Sequence, residues 1–264
     1  MQPELAFLHR LADAAAEETL PRFRANTTVS NKLQGGFDPV TEADRAAEAA
    51  IRDLIGQHYP DHGIMGEEHG SEGLDRDYLW VIDPIDGTRA FISGLPVWGT
   101  LIGLYHRGRA VAGLMDQPFT GERFVADQSG TYYRGPDGER TIRSRDCGSL
   151  AQATLFTTSP HLFAETEIGR YRAVENGVNL FRYGCDCYAY TLVAAGHADL
   201  VIENNLQAYD IAALIAILES AGAVVTDWEG GRPEQGGNII AAGSAAVHAE
   251  ALALLALGPT EQSS

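Results

Sequence analysis

An apolar run that ends abruptly in two aspartates constrains this chain more than any other stretch: Trp80-Val81-Ile82-Asp83-Pro84-Ile85-Asp86-Gly87-Thr88. Tyr78 to Ile82 reads as a β-strand. Strands that turn polar at once often carry a site at their end. Asp83 and Asp86 lie three residues apart across a proline. Pro84 fixes its own φ and biases Asp83 towards extended geometry. Ile85 offers a carbonyl at the bend, Gly87 lets the backbone approach a ligand closely, and Thr88 adds a hydroxyl. Carboxylates, a carbonyl and a hydroxyl are hard oxygen donors of the kind that suits Mg²⁺. Asp-Pro and Asp-Gly are also ordinary turn dipeptides, so the stretch alone fits a metal site or a plain turn. Whether further carboxylates converge on it decides between the two.

A formal charge of -17 argues against a nucleic-acid surface, because neutralising phosphates takes Lys and Arg. A phosphate substrate would need local cations, and bound metal ions would supply them. The same acidity can serve solubility alone. No apolar run reaches about 18 residues, so no membrane span is expected. Met1 to Arg24 carries acids and lacks a basic start, unlike a secretory signal. Cys147, Cys185 and Cys187 are odd in number and show no zinc-type spacing. They read as reduced thiols, which implies a cytoplasmic protein.

Helical spacing of Leu5, Leu8, Leu11, Ala12, Ala15 and Leu20 predicts an amphipathic helix within Pro3 to Arg24. A loop with Lys32 and Gly35-Gly36 follows, then Asp38-Pro39-Val40-Thr41-Glu42-Ala43-Asp44. Thr41 is a plausible N-cap with acids in the first turn, and the helix runs to about His58. Thr41 and Asp44 thus fit two readings, cap residues or site residues. Glu67 and Glu68 end a short apolar segment; on a strand they would point to opposite faces, so one reaches a site.

From Val97 to Arg134, regular hairpin punctuation predicts an antiparallel sheet. From about Ala153, short strands alternate with helices near Leu162 to Glu175, Tyr188 to Ala195, Ala208 to Ala221 and Ala246 to Leu257. That alternation predicts an α/β part. The expected division is residues 1–145, an α+β subdomain with most of the metal ligands, and 146–264, carrying Asp210 and the substrate residues. Glu203 closes one strand and Asp210 opens one helix, where it also fits as an N-terminal helix acid.

Four segments in order, Asp38 to Asp44, Gly66-Glu67-Glu68, Asp83 to Thr88, and Tyr209-Asp210-Ile211-Ala212-Ala213, together resemble the inositol-monophosphatase family of Mg²⁺-dependent phosphatases. The resemblance covers nearly the whole chain and implies a layered αβαβα sandwich. It also implies that Glu67, Asp83 and the Ile85 carbonyl hold one Mg²⁺, that Asp83, Asp86 and Asp210 hold a second, and that a third, weaker ion sits near Glu67. Gly87 and Thr88 would present N–H groups to the phosphate, and Asp44 would steady the metal-bound water with Thr88. A homodimer acting on a small phosphorylated metabolite is implied as well.

Within the family, Gly87 to Gly94, Pro96 to Thr100 and Gly184-Cys185-Asp186-Cys187-Tyr188 resemble the histidinol-phosphate phosphatase branch. Cys185 stands where that branch suggests glycine, and Gln207-Ala208 where it suggests Lys-Pro. Histidinol phosphate carries an ammonium and an imidazole. Carboxylates beside the phosphate site, Asp186 and Glu203, would read them, with Arg89 nearby. Asp186 also fits as a cap for the helix from Tyr188. The implied reaction is in-line water attack, with Glu67 and Thr88 orienting the water. Inositol-1-phosphate, fructose-1,6-bisphosphate and 3'-phosphoadenosine 5'-phosphate are the alternative substrates, and a non-catalytic regulator is the remoter alternative. A phosphoaspartyl phosphatase wants two aspartates two apart, whereas Asp83 and Asp86 are three apart.

Overall fold

The computed structural model describes residues 3–25, 29–31 and 39–256. Lys32, Gly35, Gly36, Asp38 and residues 259–264 lie outside them.

The elements in order are α1 (Leu5–Thr19), β1 (Val29–Asn31), β2 (Pro39–Thr41), α2 (Glu42–His58), β3 (Gly63–Gly66), β4 (Gly70–Glu72), β5 (Tyr78–Asp86) and α3 (Thr88–Ile92). A meander follows: β6 (Gly99–His106), β7 (Arg109–Gln117), β8 (Glu122–Asp127), β9 (Gly130–Gly135) and β10 (Gly138–Thr141). The remainder is β11 (Thr154–Thr157), α4 (Glu165–Glu175), β12 (Leu180–Tyr183), α5 (Asp186–Ala194), β13 (Leu200–Leu206), α6 (Ala208–Ala221), β14 (Val224–Asp227), β15 (Gly237–Ala242) and α7 (Ala245–Ala256).

The larger sheet has the order β10-β9-β8-β7-β6-β5-β3-β4, and the smaller β12-β11-β13-β15-β14. Five layers stack. Leu8, Leu11, Ala47 and Ile51 of α1 and α2 pack on Trp80, Ile82, Ile102 and Leu114 of the larger sheet. On its other face α5 and α6 fill the space to the smaller sheet, joining Leu101 and Met115 to Val201, Val225 and Ile239. Tyr171 and Val174 of α4 and Val247 and Ala251 of α7 cover the outer face with Leu155, Leu200 and Ile240. This is the αβαβα sandwich. The central position of α6 accounts for its composition: Ile211 to Leu218 are buried without a break, because sheets lie on both sides. Among the described residues no helix is long and apolar enough to cross a membrane.

Several local expectations are corrected. The first helix stops at Thr19 and gives way to a tight turn, Leu20–Arg22, where Pro21 removes a backbone donor. The larger sheet is antiparallel except that β3 runs parallel to β5. The smaller sheet is mixed, with β12, β11 and β13 parallel but β13, β15 and β14 antiparallel. β4 and β10 carried no sequence signal because they are exposed along their whole length and so show no apolar alternation. α4 opens at Glu165, after a separate turn at Pro160–Leu162, because Glu167 binds back to the Ala164 N–H. Residues 67–69 form a turn after β3, so Glu67 and Glu68 do not alternate as strand neighbours.

Two glycines bring α6 against the larger sheet. Gly103 and Gly113 face each other across β6 and β7. A Cβ at Gly113 would lie 2.1 Å from the Ala213 carbonyl oxygen, and one at Gly103 would lie 2.8 Å from Ala212 Cβ. The close approach sets the height of α6, and hence of Asp210 in its first turn. Gly113→Val is therefore expected to cost roughly 1–3 kcal/mol through overpacking. Urea denaturation checks this; an unchanged midpoint would refute the close approach.

Candidate metal-dependent active site

In a regular strand, residues three apart point to opposite faces. Asp83 and Asp86 escape this because β5 is irregular between them. Asp83 pairs with Leu101 and Asp86 with Gly99, so the β5 side holds one extra residue. Pro84 sits in this bulge, where its missing N–H is no loss. The Pro84 carbonyl accepts from the Thr100 hydroxyl at 2.8 Å, and Asp83 Oδ1 accepts from the Ile85 N–H at 3.0 Å. The result brings Asp83 and Asp86 together with Asp210, each offering an oxygen within 4.8 Å of the others. Asp83 is buried, and the other two are half-buried.

Each acid is tied to a different element. The Cys187 N–H at the start of α5 donates to Asp86 Oδ2 at 2.7 Å. Asp210 Oδ2 accepts from the Gln207 N–H at 2.7 Å, closing a capping box on α6. Asp210 is thus a cap residue and a member of the trio, and the two readings of it are not exclusive. Asp44 has the same double character. Its Oδ2 accepts from the Thr41 N–H and hydroxyl in the capping box of α2. Its Oδ1 faces the Thr88 hydroxyl at 3.5 Å, and that hydroxyl donates to the Ile85 carbonyl at 3.1 Å.

The electrostatics follow from crowding. Burial, then the charges of Glu67, Asp86 and Asp210, push Asp83 well above the usual carboxylate range. Burial, then Asp186 and Asp210, do the same to Asp86. Asp44 is raised by burial, against the hydrogen bonds from Thr41 and with a further push from Glu67. The groups raised in this way are all carboxyls, so the donors they offer are hard oxygens. That donor set fits a divalent cation such as Mg²⁺.

Gly87 takes φ +81 at the start of α3, and a Cβ there would meet the Asp186 side chain at 3.1 Å. The Asp186 carboxyl therefore lies on the turn where Gly87 and Thr88 are found. α5 opens at Asp186 itself with φ +44, so the residue does not cap a helix from Tyr188. Burial pushes Asp186 up to about 6, with Arg89 and Thr158 pulling the other way. Glu203 is 4% exposed, and burial pushes it up to about 8. The Thr158 N–H donates to Glu203 Oε1 at 2.7 Å, and Thr158 lowers both Asp186 and Glu203 against the effect of burial. Thr158 was not singled out in the sequence. Its only signal there is its place at the end of β11. Glu48, buried beneath the Glu67 turn, was missed because a helix glutamate reads as solvated.

The pattern of a family described as the inositol monophosphatase family matches residues 1–258. The bifunctional phosphatase IMPL2 of Arabidopsis thaliana is 43% identical over 92% of this chain and 72% of its own length. A histidinol-phosphatase of Chlorobaculum parvum is 34% identical over 87% of this chain and 88% of its own. The solved inositol monophosphatase of Zymomonas mobilis is 41% identical and superposes with a TM-score of 0.85, covering 96% and 97% of the two chains.

Carboxyls held above their unfolded values stabilise a fold while protonated and lose that contribution as pH rises through the folded value. With metal removed by EDTA, the melting temperature should fall as pH rises from about 4 to about 8, a window that opens at the unfolded carboxyl values and closes at the folded ones, Asp186 at about 6 and Glu203 at about 8. Added Mg²⁺ should raise the melting temperature and flatten the slope by binding the folded state. A flat profile in EDTA would contradict the electrostatics.

Proposed function

This chain belongs to the inositol monophosphatase family, and from that membership we propose a Mg²⁺-dependent phosphomonoesterase that hydrolyses L-histidinol phosphate to L-histidinol and phosphate. The observation that carries the substrate is a pair of carboxyls beside the acidic trio, the buried Glu203, held by the Thr158 N–H, and the half-buried Asp186 on the Gly87 turn. Arg89 does not bring Asp186 back to the usual carboxylate range, so a further cation beside the pair would be favourable. A substrate with an ammonium and an imidazole supplies one; a neutral polyol does not. Similarity to a protein named histidinol-phosphatase supports the same reading. Inositol-1-phosphate is the second reading, favoured by the 41% identity to the Zymomonas mobilis inositol monophosphatase.

We assign Asp83, Asp86, Asp210, Glu67 and the Ile85 carbonyl as the groups that hold two to three Mg²⁺. Bound there, the ions would acidify a water and neutralise charge on the leaving oxygen. The chain's own part is positioning. Thr88, its hydroxyl fixed by Ile85 and facing Asp44, and Glu67 orient the attacking water. Gly87 and Thr88 offer N–H groups to the phosphate, and Arg89 stands beside Asp186 at the substrate end. No protein nucleophile is required, so no phosphoenzyme forms.

The proposed division of labour is that residues 1–145 supply most metal ligands and 146–264 supply Asp210, Asp186 and Glu203. We also propose a homodimer; the edge strand β12, with Leu180, Phe181 and Tyr183 exposed, is a surface open to a second copy. Three free cysteines fit a cytoplasmic setting.

Asp83→Asn should lower kcat by on the order of 10³-fold or more, because Asp83 would help hold two of the ions. Retention of a tenth of the wild-type rate would remove that assignment. Phosphate release from histidinol phosphate, inositol-1-phosphate, fructose-1,6-bisphosphate and 3'-phosphoadenosine 5'-phosphate tests the substrate directly. Asp186→Ala should lower kcat/KM for histidinol phosphate about 10- to 150-fold, the worth of one charge-assisted contact. It should change p-nitrophenyl phosphate turnover far less. Equal losses on both would place Asp186 in the fold or the chemistry, and a wild-type preference for inositol-1-phosphate would favour the second reading.

A further inference from the structure

Glu48 lies in the middle of α2, fully buried, one helical turn beyond Asp44. Residues four apart share a helix face. Asp44 points at Thr88, and Glu48 points at the turn that carries Glu67. Glu48 Oε2 accepts from the Glu68 N–H at 2.7 Å, and Oε1 accepts from the His69 N–H at 3.2 Å and from Arg52 Nε at 2.7 Å. Arg52 also donates to the Gly70 carbonyl, so the far end of the turn is tied to the same helix. On the other side, the Glu67 N–H donates to the Ile82 carbonyl at 3.2 Å, one residue before Asp83. The turn is therefore clamped between β5 and α2.

The fit leaves no slack. A Cβ at Gly66 would lie 1.9 Å from Glu48 Oε1, so only glycine admits the carboxylate beneath the strand end. An apolar side chain would support a short loop without the desolvation cost of a buried charge. What a carboxylate adds is fixed direction, because two backbone N–H groups must meet two oxygens.

We infer that Glu48 is a positioning residue that holds the Glu67 turn and so sets the affinity of the acidic centre for a divalent cation. The inference rests on the assignment of Glu67, Asp83, Asp86 and Asp210 to the metal. Glu48 touches neither ion nor substrate; it acts through the turn.

The test is equilibrium Mg²⁺ binding to the metal-free protein by calorimetry, which needs no turnover. Glu48→Gln keeps the shape but offers one acceptor oxygen where two N–H groups need partners. Its Kd for Mg²⁺ should rise on the order of tenfold or more, with KM at saturating Mg²⁺ unchanged. Gly66→Ala keeps the charge and pushes the carboxylate aside, and should weaken Mg²⁺ binding in the same direction. The Kd is a midpoint per folded site, so partial unfolding lowers the signal without mimicking the effect. Wild-type Mg²⁺ affinity in both variants, with only a lowered melting temperature, would overturn the inference. Asp83→Asn, measured alongside, separates the two levels. Loss of binding there with none in the other variants sinks the role of Glu48 alone. A wild-type protein that binds no Mg²⁺ sinks the metal assignment with it.

Discussion

The structure depends on holding like charges together. Asp83, Asp86 and Asp210 place oxygens within 4.8 Å of one another, with Glu67 raising Asp83 and Asp186 raising Asp86 further. Coulomb repulsion at such distances is weak in water and large in a low-dielectric interior. Nothing local would keep these side chains converged. The surrounding elements must do so, and the chemistry suited to the arrangement is capture of a hard cation.

Each acid is accordingly anchored through backbone groups. Cys187 holds Asp86, Gln207 holds Asp210, Thr41 holds Asp44, and the Ile85 N–H holds Asp83. The anchors come from α5, the N-caps of α6 and α2, and the β5 bulge; α5 and α6 share one apolar cluster and α2 sits in another. The cap of a helix and a carboxyl facing the acidic centre are here the same side chain twice over. An N-terminal helix turn favours a carboxylate, so a cap position is an inexpensive place to put one. The αβαβα stack supplies the rest: two glycines let α6 settle on the larger sheet at the level of the strand end.

How much of this could be read without coordinates differs by element. Long, periodic or continuously apolar segments were legible: α2 and α6, and the central strands of the meander, stand where their patterns place them. The exposed edges β4 and β10 were not, because an edge with water on both faces needs no apolar pattern. Thr158 and Glu48 were not legible either. A strand-end threonine and a mid-helix glutamate are ordinary residues until a partner 45 or 20 positions away is brought beside them.

By itself the sequence determined the main helices and strands, the identity of the candidate acids, and the family resemblance that implies the αβαβα class. The first two are written in periodicity, spacing and residue type, which are local, and the third in four motifs in order. It left open whether Asp44, Asp186 and Asp210 were helix caps or members of a centre. Only the tertiary structure decided this. Asp44 and Asp210 are caps that also face the centre, and Asp186 lies on Gly87 instead of capping a helix. The physical reason is that a carboxylate has two oxygens. One can satisfy the helix end that the sequence predicts, while the direction of the other depends on how distant elements pack.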